Sequence, residues 1–185
     1  MEYTKFIDLI NRNKSTYAKT WAEQVKNSEY METYSKLDDA IILERGEAVF
    51  THLSSWLESG ASNDVAEKYF EEVGKDRFKE RFPLTEVVYA LYLVKKIFWA
   101  CIAWNKEVCE EVGETKCENC VEFLTIINNY FDLGNFYITR GYFQKIFHEL
   151  DSHPEASKQQ ISEFLKKGTI NLEDLDKEEF VWRHV

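Results

Sequence analysis

Three of the four cysteines lie close together in the chain, at Cys109, Cys117 and Cys120, and the last two form a C-x-x-C motif. Zinc prefers four nitrogen or sulfur ligands in a tetrahedron, so a zinc site here would need one more ligand brought in by folding. A thiol pair at a helix start also suits redox chemistry, because the helix dipole lowers a thiol pKa. The strand–motif–helix setting of a thioredoxin-like fold is absent, so metal, redox and incidental thiols stay open.

The histidines give a second route to a metal or haem site. His148 and His153 are five residues apart, a poor spacing for one helix face, and the chain has no H-E-x-x-H motif. His148 is the candidate haem ligand, although a histidine near a helix end is also favoured by the helix dipole alone. The alternative function is therefore a metal- or haem-binding helical protein that uses Cys109, Cys117, Cys120 or His148. The leading interpretation needs no cofactor.

Catalytic motifs are missing from the sequence. Neighbouring acidic residues do not share a helix face, and a di-iron bundle would need paired Glu-x-x-His motifs. There is no nucleophile-elbow context for a serine and no glycine-rich phosphate loop. We therefore expect a non-catalytic protein.

Apolar residues recur three and four positions apart along most of the chain, which predicts helices. With only two prolines and seven glycines, we expect an all-α fold: a single-domain bundle of about five to seven helices with no sheet. The bundle is predicted to occupy residues 1–153, followed by a short helix and tail at 154–185.

The helix boundaries follow from capping and breaking residues. The first helix is predicted to break near Asn11–Asn13. A second helix is capped by Asp38 or Asp39 and ends at Gly60, and a third opens at Ser62. Pro83 ends the third helix, because the residue before a proline is pushed out of the helical region.

Two long helices complete the predicted bundle. The fourth runs from about Pro83 to Val112, and the fifth from about Cys117 to Leu150. Gly134 and Gly141 lie inside the fifth helix, where each costs about 1 kcal/mol relative to alanine. Each therefore marks a kink or a close helix–helix contact.

The apolar run from Val87 to Trp104 approaches the length of a membrane span. Lys95 and Lys96 stand in its middle, and each would cost about 2.5–3.5 kcal/mol at a bilayer centre. The run is therefore predicted to be a core helix, with no membrane span.

Composition and charge limit the classes of partner and the compartment that can be expected. The chain has 185 residues, enough for one well-buried domain, and its net charge of −10 disfavours nucleic acid and anionic lipid. Four cysteines without a signal peptide suggest a reducing compartment, so a cytoplasmic location is expected.

Two charged residues stand out from the solvated surface. Arg77 lies just before Pro83, and Asp132 lies among aromatic residues. If both point inward they must be paired, because an unpaired buried charge is costly. They are predicted to pair with each other or to face a ligand, and surface positions or structural ion pairs are the simpler alternative.

The run from Ala66 to Trp99 resembles a segment of the N-terminal domain of RsbRD-type proteins, co-antagonists of the stressosome switch kinase RsbT. Similar domains precede some bacterial sensor histidine kinases. That pattern has a helix ending in G-x-x-R, an apolar–proline–leucine corner, an apolar helix with a basic residue, and a downstream F-D…G-Y element. The likeness spans about Thr16 to Tyr142. The matching residues are Trp21, Gly74, Arg77, Phe82, Pro83, Leu84, Val88, Leu91, Lys95, Phe131, Asp132, Gly141 and Tyr142.

The resemblance implies a sensory or signalling-input domain of bacterial stress-response type without its own catalysis. Family members usually feed a STAS domain or a kinase core, which this chain lacks, so a free-standing sensor or a shortened chain is expected. The leading function is a regulatory domain that binds a signalling partner protein, its own chain as a homodimer, or a small apolar ligand between helices. The predicted ligand-binding residues are Arg77, Asp132, Trp99 and Tyr137.

Overall fold

Six α-helices and one π-helical turn make up residues 3–102 and 117–152, the part of the chain that the computed structural model describes. These residues contain no strand, so the predicted all-α bundle is confirmed. The predicted segment at 154–185 lies outside them. In chain order the elements are α1 (Thr4–Lys26), α2 (Glu32–Ser35), α3 (Asp39–Glu58), α4 (Asn63–Lys79), α5 (Leu84–Ile97), the π-helical turn (Phe98–Ile102) and α6 (Cys117–Asp151).

Antiparallel neighbours build most of the core. Helices α1 and α3 pack through Tyr17 and Phe50, whose ring centroids are 5.5 Å apart. Helix α1 also ties to α5, because the Trp21 indole donates a 3.0 Å hydrogen bond to the Ala90 carbonyl. The π-helical turn places Phe98 against Phe131 of α6, with centroids 5.8 Å apart.

Helices α4 and α6 run parallel and meet backbone to backbone. A Cβ atom added at Gly141 would lie 2.2 Å from the Glu71 carbonyl oxygen, and one at Gly74 would lie 2.2 Å from the Ile138 carbonyl oxygen. Only glycine permits this approach. The predicted close contact at Gly141 is confirmed, and the same holds for Gly134, which lies against side chains of α4 and α5.

The first helix has no break, so the prediction of one at Asn11–Asn13 is wrong. The Asn13 amide donates a 3.0 Å hydrogen bond to the Leu9 carbonyl one turn earlier, which lets asparagine sit inside the helix. Asp38 and Ser62 do occupy the positions before α3 and α4, but neither side chain makes the capping hydrogen bond.

The corner at Pro83 confirms that α4 and α5 are separate helices. Helix α4 ends in a Schellman motif: the Phe82 N–H bonds to the Arg77 carbonyl and the Arg81 N–H bonds to the Phe78 carbonyl, each at 3.0 Å. Arg81 takes the left-handed position at φ 67°, where glycine is usual. Gly60 has the corresponding position at the end of α3, as predicted, with φ 75°.

The apolar run after Pro83 is core. Val87, Leu91, Val94 and Ile97 are all buried against the other helices. Within residues 3–102 and 117–152, no helix combines the length and the apolar character that crossing a membrane requires.

Candidate functional site

Arg77 is mostly buried at the C-terminal end of α4, with 15% of its side chain exposed. Its Nη1 donates a 2.7 Å hydrogen bond to the Glu80 carboxylate, three residues further along. The guanidinium also interacts with the buried Tyr34 hydroxyl. Burial raises the pKa of Tyr34, and the two arginines beside it, Arg77 and Arg45, partly oppose that rise.

Arg45 of α3 reaches the same carboxylate. Its Nη2 lies 2.9 Å from the Glu80 Oε2 atom that also accepts from Arg77, and only 16% of its side chain is exposed. The Arg45 guanidinium lies over the rings of Phe82 and Tyr34, at 5.0 and 5.8 Å from their centroids. Two guanidinium groups therefore share one carboxylate in a partly desolvated corner, which we call the arginine corner: Tyr34, Arg45, Arg77, Glu80 and Phe82.

The short helix α2 is what brings Tyr34 to the arginine corner. Glu86 of α5 is buried, and its carboxylate accepts hydrogen bonds from the backbone N–H groups of Thr33 and Tyr34 at 3.0–3.1 Å. A carboxylate at a helix N-terminus satisfies N–H groups that have no partner within the helix. A side chain of α5 thus fixes the position of an aromatic residue between α1 and α3.

Asp132 pairs with Lys95 and not with Arg77, the partner that the sequence suggested. It is 66% exposed on α6, and its carboxylate lies 3.0 Å from the Nζ atom of Lys95. Because Arg77 pairs with Glu80, the predicted pairing of Arg77 with Asp132 is wrong. The simpler alternative, structural ion pairs, describes both residues. The Lys95–Asp132 pair joins α5 to α6 at the surface.

Trp99 and Tyr137 occupy separate places. Trp99 is partly buried in the π-helical turn and packs edge-on against Phe98, with centroids 5.4 Å apart. Tyr137 is buried beneath the Arg140 guanidinium, which lies 4.8 Å from its ring centroid and pairs with the carboxylates of α4. The contacts of the four predicted ligand-binding residues join each of them to other partners, so they do not form one cluster.

The metal alternative gains no support from the described residues. Among the side chains that the structure describes, no three histidine, cysteine, aspartate or glutamate residues are grouped so that they could hold a metal ion. His148 is exposed in the last turn of α6. Cys109 and the side chains of Cys117 and Cys120 lie outside the described residues, so their predicted role stays a prediction.

A partly buried histidine–tyrosine pair joins α3 to α6. The Nδ1 atom of His52 lies 2.8 Å from the Tyr130 hydroxyl, and the His52 ring stacks on Tyr69 of α4 at 3.7 Å. Burial lowers the pKa of His52 to about 4, an effect that the Val65 backbone partly offsets. His52 is therefore neutral at pH 7 and packs as an aromatic residue within the core.

Helix α6 also carries aromatic side chains that the bundle does not cover. Phe136 and Phe147 are 57% and 61% exposed, and the partly buried Phe143 and Leu150 lie on the same side of the helix. Positions 136, 143, 147 and 150 fall within a narrow arc at 3.6 residues per turn. We call these four residues the α6 aromatic face.

The sequence carries signals for two residues of the arginine corner. Glu80 follows Arg77 by three positions, the spacing of an ion pair on a helix. Arg45 interrupts the apolar stripe of α3, three residues after the buried Ile42 and four before Val49. A charge at a stripe position predicts a partly buried group with a partner.

No protein-family model, curated protein or solved structure matches this chain.

Proposed function

We propose that this chain is a non-catalytic regulatory domain that acts by associating with another protein chain through the α6 aromatic face. The observation that carries the proposal is the exposure of Phe136 and Phe147, which are more than half accessible on a helix whose opposite side is core. Contiguous exposed apolar side chains typically mark interaction sites. The resemblance to RsbRD-type input domains supports the same class of function.

The partner that fits this face is a second copy of the chain. Phe136 and Phe147 are eleven residues apart, so they project from the same side of α6, about 16 Å apart along its axis. A two-fold axis between two antiparallel α6 helices would set Phe136 of one chain on the partner's Phe147, and the reverse. Isologous contacts of this kind are the commonest way in which identical chains associate.

The arrangement also suits transmission of a signal. The side of α6 opposite the face carries Gly141, which contacts the α4 backbone, and Ile138, which is buried in the core. A shift of α4 against α6 would therefore move the α6 aromatic face. Association and the internal packing of the bundle are coupled through one helix.

Sedimentation velocity at increasing micromolar concentrations tests the proposal. We expect reversible self-association of the unaltered chain, and its loss in the double variant Phe136→Ser, Phe147→Ser. The matched control is Tyr92→Ser, because Tyr92 is an exposed aromatic residue on a different helix, α5. Thermal unfolding of all three proteins should show that the variants remain folded.

Two results would contradict the proposal. An unaltered chain that stays monomeric over the whole range would exclude self-association. Equal weakening by Tyr92→Ser and by the double variant would mean that any exposed ring contributes, and that the α6 aromatic face has no special role.

A further inference from the structure

We propose that the arginine corner is a binding site for a phosphate group with two ionised oxygens, which would take the place of the Glu80 carboxylate between Arg45 and Arg77. The phosphate could be free or a monoester of a small molecule. This site lies where α2, α3 and the C-terminal end of α4 meet, so the inference goes beyond the proposed function and does not depend on the α6 aromatic face.

The corner holds one positive charge more than its partners balance. Arg45 and Arg77 contribute two positive charges, and the only carboxylate that either contacts among the described residues is Glu80. The buried Glu86 carboxylate is engaged by the α2 backbone instead. This local excess stands out in a chain whose net charge is −10.

The corner also has hydrogen-bond donors to spare. Arg45 Nη1 and Arg77 Nε are both buried and have no hydrogen-bond partner. Buried donors normally find a partner, so two together give this corner capacity for a further oxygen acceptor.

Glu80 is suited to leave. It follows the last residue of α4, and 39% of its side chain is exposed, against 15% and 16% for the two arginines. A rotation about its side-chain bonds would carry its carboxylate into solvent while the arginines stay in place. The Phe82 and Tyr34 rings hold Arg45 from the side away from solvent.

The charge of the ligand follows from this exchange. Once Glu80 has turned outward, the corner presents two guanidinium groups and a charge of two. A single carboxylate would only replace what Glu80 already supplies, whereas a phosphate dianion balances both arginines. The planar fork of a guanidinium also matches the oxygen spacing of phosphate.

NMR of the arginine Nε–H groups tests the site directly. The Arg77 signal is identified by its loss in Arg77→Lys, and the unaltered chain is titrated with sodium phosphate at about pH 8, where phosphate is a dianion. A parallel titration with sodium chloride at the same ionic strength removes the effect of screening. We expect a saturable shift of the Arg77 Nε–H signal in phosphate only, and a third titration with glycerol phosphate shows whether a monoester binds as well.

Two variants distinguish a specific phosphate site from nonspecific attraction of anions to positive charge. Glu80→Gln removes the competing charge, and we expect it to tighten phosphate binding at least tenfold. Arg45→Met should weaken binding at least tenfold. The matched control is Arg140→Lys, because Arg140 is already balanced by Glu67 and Glu71 and its replacement should leave phosphate binding unchanged.

The proposal is overturned by the titration of the unaltered chain alone if phosphate and chloride produce the same unsaturated drift. It is also overturned if Glu80→Gln binds phosphate no more tightly than the unaltered chain does. Both readouts are independent of self-association, so either proposal can fail while the other stands.

Discussion

Replacement of Gly141 by alanine tests the closest contact in the bundle. Alanine normally stabilises a helix interior by about 1 kcal/mol relative to glycine, so a helix considered alone would gain stability. Here the added methyl group would lie 2.2 Å from the Glu71 carbonyl oxygen, where an ordinary van der Waals contact is 3.4–4 Å. We therefore expect the opposite sign, a loss of stability.

The size of the loss follows from the displacement that the methyl group demands. Because backbone lies on both sides of the contact, neither helix can relieve the clash by turning a side chain, and the helices must move apart by more than about 1 Å. That separation loosens packing such as the edge-on contact of Phe78 with Tyr142, at 5.2 Å. Overpacking costs about 1–3 kcal/mol. At the upper end of that range, and after the helix gain, we expect a net loss of about 2 kcal/mol and a Tm lower by about 4–8 °C.

A double-mutant cycle sharpens the test. Gly74→Ala should cost a similar amount, because its methyl group would meet the Ile138 carbonyl oxygen. Once one alanine has separated α4 from α6, the second meets less resistance. The double variant should therefore lie about 2 kcal/mol closer to the unaltered chain than the sum of the single losses.

Urea unfolding, followed by circular dichroism, measures the stability of the unaltered chain, the two single variants, the double variant and a control. The control is Gly60→Ala, where the added methyl group has free space and only the left-handed backbone opposes it, so a loss of about 1 kcal/mol is expected. If Gly141→Ala leaves stability unchanged or raises it, the backbone contact between α4 and α6 is wrong. Additive losses in the double variant would show that the two glycines do not share one helix separation.

Three further predictions concern single side chains. Lowering the pH from 7 to 4 should reduce the free energy of unfolding by about 2 kcal/mol through the protonation of His52 in the unfolded chain. In urea titrations, His52→Gln should remove this part of the pH dependence, whereas the control His148→Gln should not. Glu86→Ala should lower stability by about 2–3 kcal/mol, because it leaves the N–H groups of Thr33 and Tyr34 without an acceptor; Glu86→Gln should cost less in the same measurement. Arg81→Gly should raise the free energy of unfolding by about 0.5–1 kcal/mol because it removes a left-handed conformation from a residue with a Cβ; a loss of stability would mean that the side chain itself contributes.

The sign of the His52 effect comes from its two pKa values. Burial lowers the pKa in the native chain to about 4, whereas the unfolded chain keeps a value near 6.5. As the pH falls through that window, the unfolded chain binds a proton that the native chain does not bind. The native state is therefore fully stabilised above about pH 6.5 and progressively less so down to about pH 4. The full shift corresponds to about 3 kcal/mol, and partial solvent exposure reduces our expectation to about 2 kcal/mol.

Much of the fold could be predicted because local signals and packing agree. Pro83 separated two helices, Gly60 ended α3, and Gly141 inside α6 indicated a kink or a close contact. Each signal comes from a backbone property that one residue type supplies. The short helix α2 was missed because its start is fixed by Glu86, more than fifty residues away in sequence. A cap supplied from another helix leaves no trace in the local pattern.

The candidate site was harder to predict than the fold. Arg77 stood out in the sequence, but its partner is Glu80, directly after the end of the same helix, and Asp132 pairs with Lys95 instead. Which carboxylate an arginine meets depends on how helices are rotated about their axes. Apolar periodicity shows which side of each helix is buried, but not which polar side chains meet at the edge of that side. It therefore could not predict the arginine corner.

The separation in sequence between α4 and α6 has a consequence for how the chain is made. Contacts between α1 and α3 join residues 32 and 37 positions apart, such as Ser15 with Glu47 and Lys14 with Thr51. Arg140 contacts Glu67 across 73 positions, so α4 cannot pack on α6 until most of α6 has left the ribosome. Until then the surface of α4 that packs on α6 is uncovered, which makes the nascent chain prone to aggregation. In refolding followed by pulsed hydrogen exchange, we expect α1 and α3 to gain protection before α4 and α6.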